Sequence, residues 1–349
     1  MAIGGGIALA VVLLACGLAA FLLPPPASCV EQSRNPYRFR DWPHYVGAMD
    51  SGEHTARVVL ISNSQGYGGE YPAQKVYPAR LEALLNERKT GGMEHWEVLN
   101  FSLDGVTPME YMALAARLRE EKPTWLISIS GSADYRADNF DKGFSFCRTD
   151  IPQLLTTGLM ASRLPLSFWR RHGRVEDVLT AWVTQRLLLL RLRDYVWSWL
   201  DTRFPGAQKA FYAPRTTYRF WQLRGEARTS PVTSPLQGNG EGQLDLTYDE
   251  KSAVLLGEFI AQLAEVPAGH KLVATSPLRS TVADGREGPW VAAFRADLKR
   301  LAGEAGLPFW DLTERLPPED FITSNHLQDR NHKRMAALLE ERIASEMGK

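Results

Sequence analysis

The sequence predicts an α/β fold, a doubly wound and mostly parallel sheet in three layers, on three observations. Short runs rich in Val, Ile and Leu recur at residues 58–61, 96–101, 124–130, 271–275 and 307–312, the pattern of strands buried on both faces. The segments between them carry apolar residues at helical spacing, and strands alternating with amphipathic helices imply parallel crossovers. The runs also fall into two groups, so one sheet is assembled from both ends of the chain around an insert at residues 150–250.

With 349 residues the chain can bury a sizeable core. Forty basic residues balance forty acidic ones, so no overall field favours nucleic acid as a partner. Cys16 lies in an apolar run, which leaves Cys29 and Cys147 as either a disulfide or two free thiols. The seven histidines are scattered, with no pair on one helical face and no cysteine at ligand spacing, so neither a metal nor another cofactor is expected.

Taken in order, the chain opens on an apolar segment at residues 1–26. Nothing in the first thirty residues is charged, and residues 3–23 are apolar or glycine throughout, long enough for a transmembrane helix. It reads as an uncleaved anchor or as a signal segment, ended by Pro24, Pro25 and Pro26. The charge rule for flanking residues, with Arg34, Arg38 and Arg40 following the run, points the domain toward the cytoplasm. A polar, Pro- and aromatic-rich tether occupies residues 27–56, and residues 57–349 form the domain.

The first strand stops at Ser62-Asn63-Ser64-Gln65-Gly66, small polar residues that suit a tight turn, and an amphipathic helix follows over residues 79–85. Strand, turn and helix is how α/β enzymes present a nucleophile at the carboxyl end of a sheet, and Ser64 stands at that place. The plainer reading of such a serine is a helix cap. The second strand runs into Ser102-Leu103-Asp104-Gly105, after which Thr107 caps a helix with Pro108 at its first position and Glu110 in its first turn. The third enters Gly131-Ser132-Ala133-Asp134.

Inside the insert, residues 164–171 are aromatic and basic, and residues 176–204 read as one long helix. Its polar positions are largely arginine (Arg186, Arg191, Arg193) and its apolar face carries Leu with Trp182, Trp197 and Trp199. This is either a helical cap on the sheet or an interfacial helix against headgroups or a membrane partner. Residues 230–243 suit a surface loop. Regular structure resumes with helices over residues 251–263 and 290–305 flanking the fourth strand. A short fifth strand precedes a last helix over residues 329–347, packed through Met335, Ala336, Leu338, Leu339 and Ile343.

Acyl transfer through serine needs a base, donors for the developing oxyanion, and usually a third group that orients the base. His326, in the polar segment before the last helix, is the candidate base. His332 competes, but its place inside the helix predicts a solvent-facing side chain.

These residues resemble the SGNH (GDSL-type) esterase and acyltransferase superfamily, over roughly residues 57–135 and 251–345. Ser62-Asn63-Ser64 stands where that family ends its first strand in Gly-Asp-Ser. Asn100-Phe101-Ser102-Leu103-Asp104-Gly105 is similar to its second block, and Gly131-Ser132-Ala133-Asp134 to its Gly-x-Asn-Asp. Thr323-Ser324-Asn325-His326-Leu327 is similar to its Asp-x-x-His-Leu. Three positions depart: Asn63 replaces an aspartate, Ala133 the oxyanion asparagine, and Thr323 the triad acid.

The resemblance implies Ser64 as nucleophile, His326 as base, and Asp320, one helical turn before Thr323, as substitute acid. Gly105 is expected to donate to the oxyanion with the Ser64 amide, and Asn63, Ser132 and Asp134 to line that side of the site. It further implies an anchored domain facing the periplasm or exterior of a bacterial plasma membrane. Such a domain is expected to act on hydroxyls of an envelope polysaccharide or glycolipid beside a polytopic membrane O-acyltransferase. The rival expectation is a catalytically degenerate module that binds glycan or scaffolds a membrane complex.

Overall fold

The computed structural model describes residues 44, 48–68, 71–103, 106–135, 248–279, 288–322 and 326–348. The expected membrane segment, most of the tether, Cys29 and Cys147, the arginine- and Trp-rich helix of the insert, and Asp104, Gly105 and Thr323 lie outside these residues. Among the described residues no helix is long and apolar enough to cross a membrane.

Five parallel strands form the sheet: β1 (Thr55–Ser62), β2 (His95–Asn100), β3 (Trp125–Ser130), β4 (His270–Thr275) and β5 (Phe309–Trp310). Their spatial order is β2-β1-β3-β4-β5, so the chain winds outward one way from β1 to β2 and the other way from β3 onward. Such a sheet has a switch point between β1 and β3, where the loops leaving the two strands diverge and open a crevice at their carboxyl ends. The register pairs Ser62 with Ile129 and Ser130 with Thr275, which brings the ends of β1, β3 and β4 level at one edge.

The helices are α1 (Ser64–Tyr67), α2 (Tyr77–Arg88), α3 (Pro108–Arg117), α4 (Glu250–Glu265), α5 (Gly288–Glu304) and α6 (Asp329–Met347). Alternate residues of β1 feed two cores, Val59 and Ile61 against α3, α4 and α5, and Val58 and Leu60 against α2 and α6. That is the three-layer arrangement, and it explains why Val58 to Ile61 of β1 are apolar without alternation: both faces are covered.

The expected start of α3 holds in detail. Thr107 accepts from the Glu110 amide while Glu110 reaches back to the Thr107 amide at 3.0 Å, a complete capping box with Pro108 at the first position. Met335, Ala336, Leu339 and Ile343 form the buried face of α6, and Leu338 packs at its margin.

His332 departs from expectation. It is 1% exposed and its Nδ1 accepts the Tyr77 amide at 3.2 Å. Its ring stacks on Tyr77 and meets Tyr71 edge-on. It shares the helical face of Met335 and Leu339, three and seven residues on, so it follows their stripe into the core instead of solvent.

Candidate active site

The chain leaves β1 at Ser62, bends at Asn63, and starts the single turn of α1 at Ser64. Asn63 is the cap: its Oδ1 accepts the Gln65 amide at 3.1 Å. Ser64 is half-buried at the switch-point edge, and its Oγ lies 3.2 Å from Nε2 of His326. The two residues are 262 positions apart in sequence, and the structure brings them to hydrogen-bonding distance. That is the spacing a serine nucleophile needs from the base that takes its proton.

Three strand ends pin the turn. From β2, Asn100 Nδ2 donates to the Gly66 carbonyl at 3.1 Å. From β3, Asp134 Oδ2 accepts Asn63 Nδ2 at 3.0 Å. From β4, Ser276 Oγ also accepts Asn63 Nδ2 at 3.0 Å, and the Pro277 carbonyl takes Gln65 Nε2 at 2.6 Å. Close approach is possible because residue 66 has no side chain: a Cβ there would stand 2.8 Å from Tyr77 Oη and nearer still to Ser102 Oγ. Residue 68, in the left-handed region at φ 55°, closes the turn with its amide on the Ser64 carbonyl.

Asp134 is the hub on the β3 side. Its Oδ2 accepts three donors, the Gly131 amide at 2.7 Å, Tyr111 Oη at 2.9 Å and Asn63 Nδ2 at 3.0 Å. Burial pushes the Tyr111 phenol well above its ordinary value, and the neighbouring Asp134 charge pushes it further, so Tyr111 stays a donor.

His326 rides on a closed loop. The Ile322 amide donates to the His326 carbonyl at 2.7 Å, Phe321 bridges Leu327, and the Gln328 amide donates to the Asp320 carbonyl at 2.9 Å. Asp320 was expected to orient the imidazole, and its carboxylate is not brought there. It is 4% exposed, paired with Arg334 and 3.9 Å from Arg330, both on α6. Two guanidinium groups one helical turn apart outcompete a single imidazole for it.

The other expected residues sort as follows. Asn63 is 4% exposed and both amide protons are taken, by Asp134 and Ser276, so it has none to offer an oxyanion. Ser132 and Asp134 are buried beneath the turn, framework instead of substrate contacts. The Ser64 amide donates to no acceptor among the described residues, and Gly105 lies outside them. No group of three or more potential metal-binding side chains occurs among the described residues.

Sequence reasoning missed Gln65, Ser276, Pro277 and Tyr111. Ser276 and Pro277 carried a usable signal, since they follow a buried strand at the same sheet edge as Ser64. Tyr111 sits in the apolar stripe of α3 and carried none.

No family model matches the chain, and no curated protein does. Among solved structures it is similar to LAE5, an alpha/beta hydrolase enzyme from the metagenome of Lake Arreo, Spain, with TM-score 0.42 and 13% identity over 85% of this chain and 98% of that one. It is similar to Est24, a carbohydrate acetylesterase from Sinorhizobium meliloti, with TM-score 0.40 and 11% identity over 83% and 99%. A third is Axe2, an acetylxylan esterase from Geobacillus stearothermophilus, with TM-score 0.39 and 12% identity over 84% and 95%. Likenesses this distant leave the activity to be argued from the site.

Proposed function

We propose that the chain is a serine esterase or O-acyltransferase that works through an acyl-enzyme on Ser64. The observation that carries this reading is the 3.2 Å approach of His326 Nε2 to Ser64 Oγ at the switch point of a parallel sheet. His326 takes the hydroxyl proton as Ser64 attacks the acyl carbonyl, and returns it to the departing oxygen. The Ser64 amide, with Gly105 as the resemblance implies, is the donor set for the oxyanion. A second hydroxyl, of water or of an acceptor, then reverses the sequence and takes the acyl group.

The acceptor we propose is a hydroxyl of a cell-envelope polysaccharide or glycolipid. The uncharged apolar run at residues 3–23 supports an anchored protein. The family resemblance, against the flanking arginines, puts its domain on the periplasmic or outer face beside a polytopic O-acyltransferase. Ala133 and Thr323 favour a second reading, a binding module on the same fold, because they stand where a side-chain oxyanion donor and an acid are expected.

The deciding experiment is labelling of the full chain in detergent with a fluorophosphonate, beside Ser64→Ala and His326→Ala. Labelling of the wild type that is lost in both variants is the expected result. A folded wild type that takes no label at any pH, with or without envelope membranes, turns the assignment to the binding module.

A further inference from the structure

We propose that Asn63 is a positioning residue selected for its amide: it tethers the Ser64 turn to Asp134 and Ser276, and an aspartate at 63 would break that tether. The proposal rests on the reading of Ser64 as nucleophile and goes beyond it, because it gives the amide of Asn63 a use that a carboxylate could not serve.

The side chain is used at both ends. Its Oδ1 caps α1 through the Gln65 amide, and its Nδ2 spends one proton on Asp134 Oδ2 and the other on Ser276 Oγ, each at 3.0 Å. Space for the amide comes from Gly131, where a Cβ would stand 2.7 Å from Asn63 Nδ2.

An aspartate would cap equally well, since the two residues rank together as caps. Its second oxygen, however, would replace the donor that faces Asp134 Oδ2 at 3.0 Å. Two carboxylates this close do not both ionise, so the pair would hold a proton or push apart. If Asn63 were only a cap, aspartate would be neutral. If it is a tether, aspartate frees the turn that sets the Ser64–His326 distance.

The titratable groups facing this pair are Tyr111 from α3, Tyr135 from the turn after β3, and His326 across Ser64. Ser276 and Gln65 face it uncharged. Burial first, and the Asp134 charge second, hold both phenols above the range tested.

The test measures fluorophosphonate labelling rate and Tm from pH 5 to 8.5 for full-length wild type, Asn63→Asp and Asn63→Ser. Serine keeps a capping oxygen but offers no amide to Asp134. Asn63→Asp is expected to label several-fold more slowly at pH 8, where both carboxylates would be ionised. Its rate relative to wild type should climb as pH falls and a shared proton remakes the bond. Its Tm deficit should shrink over the same interval, whereas Asn63→Ser should be slow at every pH. Wild-type rates and Tm in Asn63→Asp across the range overturn the tether, as does wild-type labelling in Asn63→Ser. Should wild type itself not label, the acyl-transfer reading fails, and the tether stands or falls on the pH-dependent Tm of Asn63→Asp alone.

Discussion

Asp320 pairs with Arg334 of α6 at the base of the loop that carries His326, and Gln328 closes that loop on the Asp320 carbonyl. The carboxylate therefore holds the loop and not the imidazole. Asp320→Asn and Arg334→Ala are expected to slow Ser64 labelling by similar factors of less than about tenfold, and the double variant by no more than either. A true triad acid behaves differently, since its amide variant costs on the order of 10⁴-fold in turnover while loss of its arginine neighbour costs little. Labelling rates of the two single variants and the double decide between these patterns.

Gly66 is the second point of leverage on the nucleophile. A methyl at this position meets Tyr77 Oη at 2.8 Å and Ser102 Oγ even closer, and both hydroxyls are buried. Neither can swing into solvent, so the α1 turn must lift away from β2. Gly66→Ala should cost about 1–3 kcal/mol of stability, the usual range for overpacking. It should also slow labelling of the protein that remains folded. Denaturant midpoints and labelling rates at one temperature check both, and an unchanged midpoint would mean that the turn is looser than these contacts imply.

The fold was legible because its signals are local. A strand covered on both faces tends to be apolar without alternation, and the middles of β1 and β4 read that way. Thr107, Pro108 and Glu110 announce a helix start by chemistry confined to four residues. Ser64 and His326 were also readable, each lying just beyond a recognisable element. What did not show was where buried polar side chains point. Asp320 read as the acid and Asp134 as a lining residue of the site, yet one is taken by arginines on α6 and the other by Tyr111 and Asn63. Those pairings depend on which helix packs over which strand end. His332 failed for a related reason: a polar residue on an apolar stripe was judged by its type, and the stripe decided.

Asp329, in the first turn of α6, joins that helix to α2 through Arg80 and to its own next turn through Lys333 at 3.1 Å. Burial raises its carboxyl, but Lys333 and Arg80 together outweigh that and hold it below the usual carboxylate range. A carboxyl depressed in the folded state contributes stability above its unfolded value, near pH 4, and loses it as pH falls through the folded value. Asp329→Asn should therefore melt below wild type at neutral pH, with the gap closing once the solution is more acidic than the folded value. Thermal melts at matched ionic strength, from neutral to below pH 3, check this. A gap that stays constant to the lowest pH would assign the loss to packing.

His326 and His332 lie six positions apart and are expected to fail in opposite ways. His326 is half-buried and faces Ser64, so His326→Ala should abolish labelling while leaving Tm nearly unchanged. His332 is enclosed between Tyr71 and Tyr77, and its Nδ1 is the acceptor for the Tyr77 amide at the start of α2. Removing it leaves that amide buried without a partner and a cavity beside two rings. His332→Ala should cost about 2–4 kcal/mol on both counts. The molecules that stay folded should still label at a rate within a few-fold of wild type, because Tyr77 Oη binds Ser62 and not Ser64. Labelling normalised to the folded fraction separates the two roles. Loss of labelling in fully folded His332→Ala would mean that the packing of His332 on Tyr77 also positions Ser64.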